Sequence, residues 1–311
     1  MEDIALILST TLMYSTPLIF AALGGVFSEN SGIVNIGIEG MMTIGAFAGA
    51  AVGVLTGNPW LAFLMGALAG GLFALIHAVA TVTFNADHTI SGVAINLLAP
   101  GVAIFASKVL FDGASQTPSI PIEEKMPRPL NGIFEQGSVL DTIFNTYATV
   151  YLAFILVAVV WFVLYKTKLG LRIRAVGEHP GAADTLGINV YKTRYIAVIL
   201  SGVLAGLGGA SMSLAVVSAF RPTLISGHGY IAIAAVIFGK WKPQGAMLAC
   251  LLFGFSTALS IYFGGATSPI DVNENLLSMI PYVVTLVMLI LFVKRSKAPA
   301  ASGTPYIKGE R

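Results

Sequence analysis

Glu39 is the only acid inside the long apolar stretches of this chain, in the segment GIVNIGIEGMMTIGAF. Asn35 stands four residues before it, a spacing that puts both side chains on one face of a helix. That face also carries Gly32, Met42 and, slightly rotated, Ala46. A charge at the centre of a bilayer costs at least ~2.5–3.5 kcal/mol by insertion scales, so such a group is rare without a purpose. Two uses fit. Glu39 and Asn35 line a polar pathway or its inner gate, or Glu39 lies about two turns from the cytoplasmic side and bonds the end of a neighbouring helix. Asn96 lies in the middle of SGVAINLLAPGV, with Pro100 four residues on. Proline has no N–H, so the carbonyl of Asn96 loses its helical partner. A kink there either opens a cavity or fits the packing, and His77 and Ser91 carry the same two readings.

The usual catalytic constellations are missing. The four histidines are scattered, with no HExxH and no pair at metal-ligand spacing. There is no GxSxG elbow. There is no GxxxxGK[ST] phosphate loop, so this chain cannot itself supply an ATPase. The one cysteine, Cys250, allows no intramolecular disulfide and no cysteine-based metal site. The Gly-rich run SGVLAGLGGASMS, 201–213, follows no strand and reads as a helix-packing face rather than a phosphate cradle.

The elements that must position these residues follow from composition. Of 311 residues 56% are hydrophobic and 10% charged, with a mean hydropathy of +0.84. Soluble domains carry about 25% charged residues, so this chain could not cover a core with polar surface. In lipid the difficulty vanishes. A crossing needs roughly 20 apolar residues, and candidates run at about 4–27, 33–56, 60–83, 89–111, 146–165, 195–215, 243–264 and 276–293. The start carries Glu2 and Asp3 and no basic region, unlike a cleaved signal peptide. The formal net charge of +2 gives no argument for a nucleic acid polymer as partner. Membrane lipid is the expected surrounding.

Loop charge orients the spans, because Lys and Arg concentrate on the cytoplasmic side. Segment 166–194 holds Lys166, Lys168, Arg172, Arg174, Lys192 and Arg194, and the tail after 293 is also basic. Segment 112–145 has five acids against Lys125 and Arg128, and 265–275 has Asp271 and Glu274 without a base. Alternating spans place the first pair of segments inside, the second outside, and the N-terminus outside. A single transmembrane domain over 1–297 results, with 112–145 as an external loop, 166–194 as a cytoplasmic loop and 298–311 as a cytoplasmic tail. Pro118, Pro121, Pro127 and Pro129 keep much of 112–145 from being helical. Stretch 227–239 is too short to cross upright. It is either a broken or re-entrant element, or a tilted helix starting near Val217.

The stretch KTKLGLRIRAVGEHPGAADTLGINVYKTR, 166–194, is too polar to span and too patterned for a random linker. Pro180 favours a first helical turn, residues 182–186 can continue it, and Gly187 suits the position just past its end. Two turns are unstable alone and need a groove to sit in. A plain connector is the other reading of the residues. Resemblance decides between them. TKLGLRIRAVGEHPGAADTLGI is similar to the coupling loop of bacterial ABC-importer permeases of the branched-chain amino acid, ribose and nucleoside group. GIVNIGIEGMMTIGAF resembles the family's early Asn…Glu-Gly helix, SGVLAGLGGA the Gly-rich helix after the loop, and GYIAIAAVIFGKWKPQGA its later re-entry. Relatives often carry Gly-Gly where Phe238-Gly239-Lys240-Trp241 stands here. The likeness leans toward nucleoside permeases served by basic-membrane-lipoprotein-type binding proteins.

The resemblance implies an all-α integral membrane bundle of about 8–10 transmembrane helices, with short re-entrant or broken elements and a cytoplasmic coupling helix. It implies a multi-pass subunit of the bacterial cytoplasmic membrane that takes up nucleosides, with a simple sugar or a branched-chain amino acid as the alternative cargo. No catalytic residue, metal or cofactor is expected on this chain; ATP and Mg belong to a partner ATPase. The other expected partners are a second permease, of a different chain, and a substrate-binding lipoprotein. Carried onto this sequence, the coupling handle is His179 to Ile188, with Glu178, His179, Pro180, Ala182, Ala183, Asp184, Leu186 and Gly187 as its contacts. Asn35, Glu39, Ser91, Asn96 and His77 are the candidates for the substrate pathway. A stand-alone secondary carrier is the competing class, but it would usually show more buried ionisable groups than Glu39.

Overall fold

The computed structural model describes residues 2–264, 277, 279–292 and 297–309. Among these there is no strand. The helices are α1 (Glu2–Asn30), α2 (Ile38–Thr56), α3 (Pro59–Ala78), α4 (His88–Leu110), α5 (Val139–Phe144), α6 (Ala148–Lys166), α7 (Lys168–Glu178), α8 (Pro180–Thr185), α9 (Val190–Ser211), α10 (His228–Phe238), α11 (Pro243–Gly264) and α12 (Ile280–Phe292). Single π-helical turns lengthen α3 to Thr83 and α9 to Val216. Among the described residues α1, α2, α3, α4, α6, α9 and α11 are long and apolar enough to cross a membrane. The chain is thus a multi-pass membrane bundle, as its composition requires.

Helix starts follow from local chemistry. Asn58 caps α3, accepting from the N–H groups of Trp60 and Leu61, with Pro59 in the first turn. Asp87 caps α4 by accepting from Ile90, and Asn189 caps α9 by accepting from Lys192. The Gly-rich helix α9 runs through the centre, packed on α1, α2 and α3. A Cβ on Gly202 or Gly206 would collide with the backbone carbonyls of Gly70 and Gly66 on α3, and one on Gly209 with the carbonyl of Met42 on α2. The run 201–213 is a packing face, as its setting in an apolar span predicts. Outward faces carry the large apolar side chains, such as Leu97, Phe105 and Val109 of α4.

Three expectations need correction. The second span begins at Ile38, not 33, because residues 31–37 are non-helical. Asn35 and Glu39 therefore do not share a helix face. The sixth span begins at Val190 and carries Lys192 and Arg194 in its first turns. The segment before it holds two helices, α7 and α8, where the sequence pattern predicts one. The open choice at 227–239 resolves toward a broken element, since 217–227 is non-helical and α10 has 11 residues. Segment 112–145 is mostly irregular, with a short 3₁₀ turn and α5. It closes over one end of the bundle, where Thr117 and Ile120 donate backbone N–H bonds to the carbonyls of Phe220 and Ser218. Loop 265–275 lies outside the described residues.

Candidate functional site

The break between α1 and α2 organises the polar residues. Ser31 and Gly32 turn the chain back with N–H bonds to the carbonyls of Ser28 and Glu29. Gly32 has φ +89°, which favours glycine. Unwound backbone between two spans must be satisfied by protein, and side chains from neighbouring helices do this. The carbonyl of Val34 accepts from His77 Nε2 at 3.4 Å, and its N–H donates to His88 Nδ1 at 3.3 Å. A carbonyl only accepts, so Nε2 of His77 carries a proton, while Nδ1 pairs with the Ser91 hydroxyl at 2.8 Å. Asn35, 1% exposed, donates from Nδ2 to the Ser201 hydroxyl at 3.0 Å. The carbonyl of Ile36 accepts from Asn96 Nδ2 at 3.0 Å.

Two helices start here without a cap of their own. α2 follows Gly37 and α10 follows Gly227, and glycine has no side chain to accept the orphan N–H groups. Asn96 Oδ1 of α4 accepts the N–H of Gly40 in the first turn of α2 at 2.8 Å. Glu39, also in that turn, serves α10 in the same way. Its two oxygens accept the N–H groups of Gly227 at 2.6 Å and Gly229 at 2.7 Å. Asn96 closes the chain of caps by donating to the Tyr230 hydroxyl of α10 at 2.9 Å. A carboxylate at a helix N-terminus meets the positive end of the helix dipole, and charge-assisted bonds of this kind are among the stronger ones. Gly229 sits flush on Glu39, where a Cβ would come within 2.5 Å of the Glu39 Cα. Of the two uses proposed for Glu39, the contact with a neighbouring helix end is therefore present.

A cavity of about 610 Å³ opens on the far side of this junction. It is lined by Ser226 and His228 at the start of α10, by Thr257, Ser260 and Ile261 of α11, and by Tyr282 of α12, among others. Asn35, Glu39, Ser91, Asn96 and His77 do not line it. The structure brings those five together around the α1–α2 break: His77, Asn96 and Glu39 bond unwound backbone, Ser91 bonds His77, and Asn35 of the break bonds Ser201. Glu39 reaches the cavity through the two residues flanking its bonds, Ser226 and His228. Sequence reasoning missed this wall because Ser and Thr inside an apolar span carry no charge to flag them. The available signal was Thr257, Ser260, Ile261 and Gly264 at helical spacing on one face of α11.

At the end of the bundle that carries the basic segment, α7 lies across the helix ends. Ile173 and Val176 are fully buried, and Gly177 sits directly against the backbone of Asn30 at the end of α1. α8 follows after His179, ending with Gly187 at φ +80° as its sequence predicts. Its residues divide by exposure. Glu178, His179, Ala182 and Leu186 are exposed, Leu186 at 81%, while Pro180 and Asp184 are half-buried. Ala183, at 3%, is buried within this chain, in a small core with Val176, Val190 and Tyr306. That corrects the expectation that both alanines of the pair face a partner; only Ala182 is free to do so.

Residues 7–293 match the family model described as branched-chain amino acid transport system, permease component. The chain is 48% identical to the guanosine ABC transporter permease protein NupQ of Bacillus subtilis, over 100% of this chain and 99% of that one. It is 45% identical to the nucleoside ABC transporter permease protein NupC of Lactococcus lactis, over 99% of each. The putative glucose ABC transporter permease protein TsgC13 of Haloferax volcanii is 36% identical, over 94% of this chain and 93% of its own length. Matched by that model over most of its length and by relatives at 45–48% identity from end to end, this chain belongs to the branched-chain amino acid transport system permease component family.

Proposed function

We propose that this chain is a translocation subunit of an ATP-driven ABC importer that takes up nucleosides. The observation that carries the substrate class is the end-to-end likeness to two nucleoside permeases at 48% and 45% identity. The glucose permease is more distant at 36%, which makes a sugar the second reading. The excess of Lys and Arg in 166–194 puts α7 and α8 in the cytoplasm, and the acidic segment 112–145 outside. The cavity then opens between α10, α11 and α12 in the outer part of the bundle, where a delivered substrate would enter. Serine, threonine, histidine and tyrosine supply hydrogen-bonding groups on an otherwise apolar wall that, among the described residues, carries no Asp, Glu, Lys or Arg, which suits an uncharged polar solute. Glu39 and Asn96 hold α10 and so shape that wall, with Asn35, His77 and Ser91 supporting the break behind it.

ATP hydrolysis belongs to a partner. The exposed face of α8, with Leu186 as an apolar knob beside His179, Ala182 and Glu178, is the docking surface for a cytoplasmic ATPase. A rigid short helix transmits displacement; an unstructured loop would not. The second permease is a different chain, and a lipoprotein delivers the substrate outside. Affinity purification through this chain in mild detergent, followed by mass spectrometry, tests the assembly. Recovery of an ATPase, a second permease and a lipoprotein supports the reading. Recovery of this chain alone, still transporting in liposomes without ATP, overturns it in favour of a secondary carrier.

A further inference from the structure

The segment after α12 is not a free tail. Residues 299–308 run across the end of the bundle that carries α7 and α8, and they touch four separate elements. The N–H of Ala301 donates to the carbonyl of Gly177 at the end of α7 at 2.9 Å. The N–H of Gly303 donates to the carbonyl of Gly32 in the α1–α2 break at 3.0 Å. The carbonyl of Thr304 accepts from Nη1 of Arg194 on α9 at 3.2 Å, and Arg194 is 1% exposed. Tyr306, 8% exposed, packs on Val176, Ala183 and Val190, with its ring centroid 5.7 Å from that of Tyr191. Lys308 Nζ lies 3.9 Å from the Asp184 carboxylate of α8. Burial and the neighbouring Asp184 carboxylate raise the pKa of the Tyr306 phenol above its ordinary value.

A helix of six residues has little stability of its own. The hydrophobic partners that hold α8 in place on this chain are few, and Tyr306 is the largest of the buried ones. The same strand of chain, three residues earlier, is bonded to Gly32. From Gly32 the break continues through Val34 and Ile36 to His77 and Asn96, and Asn96 reaches Tyr230 on α10. Contact is thus continuous from α8 to α10, whose His228 and Ile231 line the cavity, and residues 303–306 form its first link.

We infer that residues 299–308 are a strap that fixes the docking helix α8 to the α1–α2 break, with Tyr306 as the positioning residue that couples ATPase movement to the substrate path. The inference rests on the importer reading and adds to it the part of this chain that carries the motion inward. A tail that merely filled space would affect the amount of folded protein and leave coupling untouched.

The test uses the intact complex purified through this chain and reconstituted in liposomes, with uptake and ATP hydrolysis measured together and normalised to assembled complex. In the complex that assembles, Tyr306→Ala is expected to lower substrate taken up per ATP hydrolysed about tenfold. Tyr306→Phe, which retains the ring in the Val176–Ala183–Val190 core, is expected to restore most of it. If Tyr306→Ala yields no complex, Tyr306→Leu is measured instead, since it keeps apolar filling and loses the ring. Wild-type uptake per ATP in Tyr306→Ala, or in Tyr306→Leu where only that variant assembles, overturns the strap. A wild-type complex whose uptake ignores ATP contradicts the importer reading itself, a separate outcome.

Discussion

Glu39 accepts the backbone N–H of Gly227 at 2.6 Å, across 188 residues of sequence. With the second bond, to Gly229, the carboxylate of one broken span becomes the cap of another. Hydrogen bonds to charged groups contribute about 1.5–3 kcal/mol each. Glu39→Gln keeps one acceptor oxygen and turns an N–H₂ group toward an N–H donor. Uptake is expected to fall about tenfold or more, while the variant still reaches the membrane and assembles with the ATPase. Glu39→Ala is expected to fall further. Unchanged uptake in Glu39→Gln removes this junction from the mechanism.

Asn96 joins three elements by bonds to Gly40, Ile36 and Tyr230. Asn96→Leu leaves a backbone N–H and a backbone carbonyl without partners inside the bundle, at about 1–3 kcal/mol for each. Thermal inactivation in detergent is expected at a clearly lower temperature than for wild type. Asn96→Asp keeps the acceptor for Gly40 and loses the donors, so an intermediate temperature is expected.

Ala183 is buried against Tyr306 rather than against a partner. A larger side chain overfills this site, at about 1–3 kcal/mol, and displaces the tail. Ala183→Phe is expected to hydrolyse ATP without responding to substrate. Normal substrate-stimulated hydrolysis in that variant separates α8 from coupling.

Leu186 presents the opposite case. It is 81% exposed and belongs to neither core cluster of the described residues. Surface substitutions away from special features change stability by less than about 0.5 kcal/mol. Leu186→Asp is expected to leave the melting temperature of the isolated chain unchanged and to weaken ATPase binding about tenfold. A pull-down of ATPase against this variant reads the effect directly.

Thr257 lines the cavity from α11. Thr257→Trp places a large ring in its 610 Å³ and is expected to abolish most uptake while assembly and basal hydrolysis persist. Full uptake in the filled variant means that substrate travels elsewhere.

Much of the architecture was legible in the sequence, because apolar runs of about 20 residues allow little else. Turn residues such as Asn58-Pro59 and Asp87 marked the helix starts, and Pro180 and Gly187 bracketed α8. The helix break at 31–37 was not legible. Gly32, Asn35 and Glu39 fit a continuous helix by spacing, and it is bonds from His77, His88 and Asn96 on other helices that make the unwound backbone affordable in lipid. Such partners are 43, 54 and 60 residues away in sequence, beyond any local pattern. The role of the tail was hidden for the same reason, since APAASGTPYIK has the composition of a loose end until Tyr306 meets Val176 and Ala183.

The central claim is ATP-driven nucleoside import, and reconstituted complex tests it most directly. Purified assembly in liposomes, oriented with its ATPase side supplied with ATP and Mg, is offered labelled guanosine together with its binding protein. The account predicts accumulation that requires ATP and is competed by other nucleosides, but not by glucose or leucine. Accumulation that proceeds equally without ATP, or that glucose alone competes, would contradict it.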